Sequence, residues 1–301
     1  MTLWQKARDI EWPTLILLAA TYFVWILSTM WLSALWLPVG IVITGLAIAQ
    51  FASLQHEIIH GHPFKTKALN QALVFPALPL FIPFLRFRDT HLAHHQDSIL
   101  TDPYDDPESN YMDGGEWARL PSWMQTLLLF NNRLLGRLTV GPVISQLSFM
   151  RADWVAIRNK DLKVLMGWVW HIPAMGIVII WLIYAPMPVW AYLVATYLGL
   201  SILKIRTFLE HQAHEKARGR TVIIEDHGPL AFLFLNNNLH VVHHMHPKLP
   251  WYRLPAVYRA NVDRYLKRNE GYYFASYAQV FRDYFWKAKD PVPHPIWRRN
   301  P

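Results

Sequence analysis

From Pro13 to Gln55 no side chain carries a formal charge, and the same is true from Val164 to Leu203. Each run is roughly twice the ~20 apolar residues that one bilayer-spanning helix needs. A chain of 301 residues would need an unusually large soluble shell to bury two such runs. Each is interrupted near its middle, by Leu37-Pro38-Val39-Gly40 and by Ala185-Pro186-Met187-Pro188, where a helix is hard to continue. The expectation is an all-α integral membrane protein with four transmembrane helices in two hairpins, at about 14–55 and 164–203. In the first, one helix is expected near Thr14–Leu37 and a second near Ile41–Gln55. A signal peptide fits poorly, because the first apolar run is too long and lacks a small-residue cleavage pattern.

The remaining chain is more polar. Ala68–Leu85 is uncharged but carries Pro76, Pro79 and Pro83, so it is expected to dip into the membrane rather than cross it. Leu127–Met150 is apolar but interrupted by Arg133 and Arg137, which suits an interfacial position. Leu254–Asn269 and Ala275–Lys287 read as amphipathic helices, and Pro291–Pro301 as irregular. No linker marks a second domain. Residues 1–301 therefore read as one membrane domain, with 56–163 and 204–301 forming a helical cap. Neither hairpin turn contains Lys or Arg, and the net charge of +8 resides in the segments outside the hairpins. By the positive-inside rule the termini and cap face the cytoplasm, in a bacterial inner membrane.

The chain has no cysteine, which excludes disulfides, thiolate metal sites and Fe–S clusters, but it has 15 histidines. Most fall in four groups: His56-Glu57-Ile58-Ile59-His60, His91-Leu92-Ala93-His94-His95, His211-Gln212-Ala213-His214 and His240-Val241-Val242-His243-His244. On a helix, residues three and four apart share a face, so His56 with His60, and His91 with His94 or His95, can grip one ion. Adjacent residues such as His94 and His95, or His243 and His244, diverge by ~100° and can serve two neighbouring ions. Imidazole suits iron, zinc and copper alike. One HxxxH is commonly incidental, whereas one HxxxH with two HxxHH groups indicates a polyhistidine metal centre. His56-Glu57-Ile58-Ile59-His60 also fits the HExxH zinc-protease pattern, with Glu57 as general base, but that reading leaves both HxxHH groups without a role.

HxxxH, HxxHH and HxxHH in this order resemble the three histidine boxes of membrane fatty acid desaturases, a pattern shared by related hydroxylases and carotenoid oxygenases. The resemblance runs from about Gln50 to Pro255. It includes Arg206-Thr207-Phe208-Leu209-Glu210-His211, similar to a further ligand-bearing segment, and Pro250-Trp251-Tyr252-Arg253-Leu254-Pro255 after the last box. It implies a di-iron site held by His56, His60, His91, His94, His95, His211, His240, His243 and His244, with His214 an alternative to His211. It also implies O2 as co-substrate and a lipid acyl chain that is desaturated, with hydroxylation or ketolation of a lipid or carotenoid as the alternative outcome. The chain shows no dinucleotide fingerprint or fused cytochrome segment, so a separate ferredoxin- or cytochrome-like electron donor is expected to dock on the basic face. The expected partners are thus lipid, donor and membrane, and not nucleic acid.

Outside the boxes, Glu57 is expected to orient a ligand imidazole, and His62 and His246 at most to support ligands. His171, His227 and His294 read as ordinary structural or surface groups. Asp97, Asp102, Asp105, Asp106 and Glu108 read first as a solvated loop with turn-forming Asp-Pro pairs, and second as carboxylates supporting ligand histidines.

Overall fold

The computed structural model describes residues 10–96 and 98–297. In chain order the helices are α1 (Trp12–Leu27), α2 (Leu37–Ile59), α3 (Lys67–Leu73), α4 (Phe84–His94), α5 (Gly114–Arg119), α6 (Ser122–Asn131), α7 (Leu134–Thr139) and α8 (Gly141–Arg158). There follow α9 (Leu162–Tyr184), α10 (Val189–Thr207), α11 (Pro229–Leu233), α12 (His240–Met245), α13 (Leu254–Arg259), α14 (Val262–Arg268) and α15 (Tyr277–Tyr284). One short parallel pair joins β1 (Ile223–Ile224) to β2 (Tyr273–Phe274). The chain divides into two compact units, Met1–Arg88 with Val143–Ile202, and Asp89–Pro142 with Leu203–Pro301.

Among the described residues four helices are long and apolar enough to cross a membrane: Trp12–Leu35, α2, α9 and α10. The first runs from α1 through a π turn at Ser28–Leu32 into Ser33–Leu35. The first hairpin breaks one residue earlier than the Pro-Gly signal suggests, at extended Trp36. Pro38 and Gly40 instead belong to the first turn of α2, where a missing N–H costs nothing. Gly40 is required there, because a Cβ would lie 2.7 Å from the Ser33 backbone. The second helix continues to Ile59, so His56 and Glu57 sit inside it rather than after it. In the second hairpin, Asp161 caps α9 by accepting from the Lys163 and Val164 amides.

Apolar side chains gain little from one another within lipid, so small residues and polar contacts hold such helices together. Gly45 of α2 faces Gly199 of α10, and a Cβ on Gly199 would come within 2.8 Å of the Gly45 carbonyl. Trp25 donates to the Tyr192 hydroxyl (3.1 Å), which donates to the Leu78 carbonyl (2.9 Å). Ser28 and Thr44 share a 2.7 Å hydrogen bond, and Trp181 donates to Thr29 at 3.0 Å. The Ala68–Leu85 segment forms no spanning helix, only α3, turns and the start of α4. In the same unit Arg86 forms a bidentate pair with buried Asp153 (2.9 and 2.8 Å), to which Trp168 also donates at 2.8 Å.

In the other unit a core of Ile223, Leu239, Val241, Val242, Leu254, Tyr258 and Tyr265 packs beneath α12. Full burial of a valine is worth about 1.5–3 kcal/mol, so Val241 and Val242 anchor this helix by its apolar face. Asn238 donates to the Ile224 carbonyl at 2.7 Å, tying the start of α12 to β1. The two amphipathic segments are shorter than expected. The first is divided into α13 and α14 and the second reduces to α15, whose Ser276 cap accepts from the Gln279 amide. Residues 291–297 have no helix or strand, and the rest of that tail lies outside the described residues.

Candidate metal centre

The HxxHH of α4 places His91 and His94 on its last turn, and His95 follows as the chain leaves the helix. His95 Nε2 lies 2.9 Å from His91 Nε2 and 3.1 Å from His243 Nε2. His211 Nε2 lies 2.9 Å from His94 Nε2 and 3.1 Å from His240 Nε2. His244 joins the second set, in which one ligand atom from each of His94, His211, His240 and His244 lies within 4.8 Å of the others. Sequence neighbours therefore part company: His94 and His95 enter different sets, as do His243 and His244. His56 and His60 belong to the other unit, at the end of α2, with ring centroids 5.0 Å apart.

The donor set fits a metal. Ring nitrogens about 2.1 Å from an ion and at right angles around it are about 3 Å apart, the spacing seen in both sets. The opposite ring edge of several members is anchored. His94 Nδ1 meets Asp106 Oδ1 at 2.8 Å, His91 Nδ1 meets Glu108 Oε1 at 3.2 Å and His240 Nδ1 meets Asn237 Oδ1 at 3.1 Å. Each acceptor takes the Nδ1 proton and leaves the Nε2 lone pair directed into the group. Asn237 donates in turn to Glu210 (3.0 Å), which pairs with Arg206 at 3.1 Å.

The acidic loop corrects the first expectation. Asp102 does make the turn, accepting from the Tyr104 and Asp105 amides, but Asp106 is only 5% exposed and faces His94, and Glu108 faces His91. Asp97 lies outside the described residues. Nothing in the local sequence separates Asp106 from its exposed neighbours, because its partner lies on α4.

His211 and His214 do not share a helix. α10 ends at Thr207, and His211 bridges to Thr221. His214 instead accepts from the Lys216 amide at 3.1 Å, so it is His211 that joins the histidine set. The His211 segment is held from below by groups that motif reading missed. Lys289 donates to the His211 carbonyl at 3.1 Å and pairs with Asp290 at 3.4 Å, and the Tyr111 hydroxyl accepts from the Ala213 amide at 2.8 Å.

The electrostatics favour positive charge at this place, carried by a proton or a metal ion alike. Burial opposes protonation of His94, but Glu108 and Asp106 outweigh it and push its pKa up to about 9. Burial likewise opposes ionisation of Glu108, yet His94 and His91 hold its carboxyl well below the usual range. Burial, reinforced by neighbouring imidazoles, holds His211 and His240 well below their ordinary value and keeps both rings neutral.

Of the remaining histidines, His62 Nδ1 lies 2.6 Å from Glu11 and its Nε2 lies 3.8 Å from Glu57, all in the unit of the spans. His171 bonds the Leu80 carbonyl, and His294 accepts from the Trp297 amide.

The chain matches the family model described as fatty acid desaturase over residues 33–277. No curated protein matches it. The match takes in every histidine named above except His294, and runs from the last residues of the first span, through the other three, to the start of α15. The chain belongs to the fatty acid desaturase family and is an oxidoreductase of the membrane desaturase and hydroxylase type.

Proposed function

We propose that this chain uses O2 and two histidine-held iron ions to introduce a double bond into a lipid acyl chain. The observation that carries this reading is the convergence of Nε2 atoms at 2.9–3.1 Å within each set, with Nδ1 protons directed outward to Asp106, Glu108 and Asn237. His91, His95 and His243 form one ligand set and His94, His211, His240 and His244 the other; His56 and His60 count as ligands on the strength of the histidine-box pattern. Bound irons would supply the oxidising power, drawn from O2 and external electrons, that removal of hydrogen from an unactivated methylene demands.

The chain's own residues supply the setting. Asp106 and Glu108 fix ring orientation and balance cationic charge. Asn237, backed by Glu210 and Arg206, does the same for His240. Val241, Val242 and the core beneath them hold the last box rigid, so the lone pairs remain aimed when a proton or ion leaves. Electrons come from a separate ferredoxin- or cytochrome-like protein docking on a basic cytoplasmic face. Charge steering of that kind weakens with salt. Turnover that stayed constant from low to high ionic strength would remove that part of the reading.

Total lipid extracts from cells expressing the protein, compared with those from the His94→Ala variant by mass spectrometry, test the proposal. A histidine-dependent product lighter by two hydrogens supports desaturation. A product that gains oxygen assigns hydroxylation or ketolation instead and keeps the metal site. Unchanged metal content and activity in His94→Ala and His243→Ala together would overturn the metal reading altogether.

A further inference from the structure

The unit that contains the four spans holds a partly open cavity of about 230 Å3. Pockets for a whole drug-sized ligand run to about 300–1,000 Å3, so this one suits a section of a larger molecule. Phe75, Trp170 and Ala174 give it an apolar wall, but Gln55, Gln71 and His171 line it as well. Polar side chains among membrane helices are costly and are retained where they serve a ligand or a partner. Gln55 is only 3% exposed, so its carboxamide is buried at this cavity. The His171 Nε2–H donates to the Leu80 carbonyl at 2.6 Å, which leaves Nδ1 of the neutral ring as an acceptor.

We infer that this cavity binds the hydroxyl group of an alcohol-bearing lipid, with Gln55, Gln71 and His171 as its hydrogen-bonding partners. No Lys, Arg, Asp or Glu lines the cavity, so a phosphate or carboxylate head finds no counter-charge there. A carbonyl could only accept, from the two carboxamides, and would leave the His171 acceptor unmet. A hydroxyl both donates and accepts and so satisfies an imidazole acceptor and a carboxamide donor together. Gln55 immediately precedes His56 on α2, so a lipid held by its hydroxyl is registered against a histidine assigned above to the metal. The inference rests on the lipid-oxidising reading for its meaning, but the binding it asserts is measurable without turnover.

The test uses the purified full-length protein in detergent. A long-chain fatty alcohol, the methyl ester and the alkane of equal length are offered at equal mole fraction in mixed micelles. Lipid retained on the protein is then quantified by mass spectrometry. The alcohol should be retained about tenfold more than the alkane and more than the ester, the size of effect expected when buried polar groups lose their partner. The double variant Gln55→Leu/Gln71→Leu, checked for wild-type elution and metal content, should lose that preference. Equal retention of alkane and alcohol by the wild type, a preference for the ester, or a preference that survives in the folded double variant would overturn the inference. A lipid extract unaffected by His94→Ala with the alcohol preference intact would sink the oxidative reading and leave the cavity assignment standing.

Discussion

Replacing Asp106 with asparagine isolates the carboxylate's charge from its shape. Asp106 Oδ1 meets His94 Nδ1 at 2.8 Å and also accepts from the Glu108 amide at 2.9 Å, while Oδ2 accepts from the Thr101 amide at 2.9 Å. Asparagine keeps an acceptor but loses the negative charge and one acceptor atom. A hydrogen bond to a charged group is worth about 1.5–3 kcal/mol. Loss of a carboxylate behind a metal-bound imidazole typically weakens metal binding about 10–100-fold, or about 1.4–2.7 kcal/mol, so two independent routes agree on the size. Iron titration against a competing chelator, on apo protein in detergent, reads the effect directly. Asp106→Asn should weaken one of two ions by that factor and leave the other within about threefold, because His94 belongs to only one set. Wild-type affinity for both ions would refute the orienting role of Asp106. Equal weakening of both would refute the division of the histidines into two sets.

Other outcomes follow from the same geometry. His94 has its pKa raised to about 9, so in metal-free protein its contribution to stability is fully present below about 6.5 and is lost as pH rises through about 9. His211 and His240 are lowered, so theirs is present above about 6.5 and lost as pH falls. Thermal unfolding of the apo protein should therefore show a maximum near pH 6.5–7, and a flat profile would contradict it. Lys289→Met leaves the partly buried Asp290 without its ammonium and frees the His211 carbonyl. It should lower iron content from two ions toward one, with Lys289→Arg restoring part of it. Arg86→Ala strands the Asp153 carboxylate, which is 4% exposed, and should lower unfolding stability by about 3–5 kcal/mol. A change under 1 kcal/mol in detergent melts would show that water or another group replaces the arginine.

How much of this was legible in the residues depends on the range of the physics involved. The absence of charge over Pro13–Gln55 and Val164–Leu203 is a local property, and it dictated the spans because an apolar helix in lipid satisfies its own backbone. The order and spacing of the histidines were equally local and already pointed to a metal centre. Helix ends were less legible. Pro38 and Gly40 read as a break, yet both fit the first turn of α2, since a proline there sacrifices no hydrogen bond.

Tertiary structure decided how the imidazoles are shared out. The divergence of His94 from His95 and of His243 from His244 follows from helical rotation alone, but the fold chose the partners each meets: His95 meets His91 and His243, and His94 meets His211. It also selected Asp106 from a run of similar acids, His211 over His214, and the support of Lys289 from the far end of the chain. Each of these choices depends on a partner many residues away, such as His94 for Asp106 or His211 for Lys289. Spacing along the chain carries no record of contacts that only folding creates.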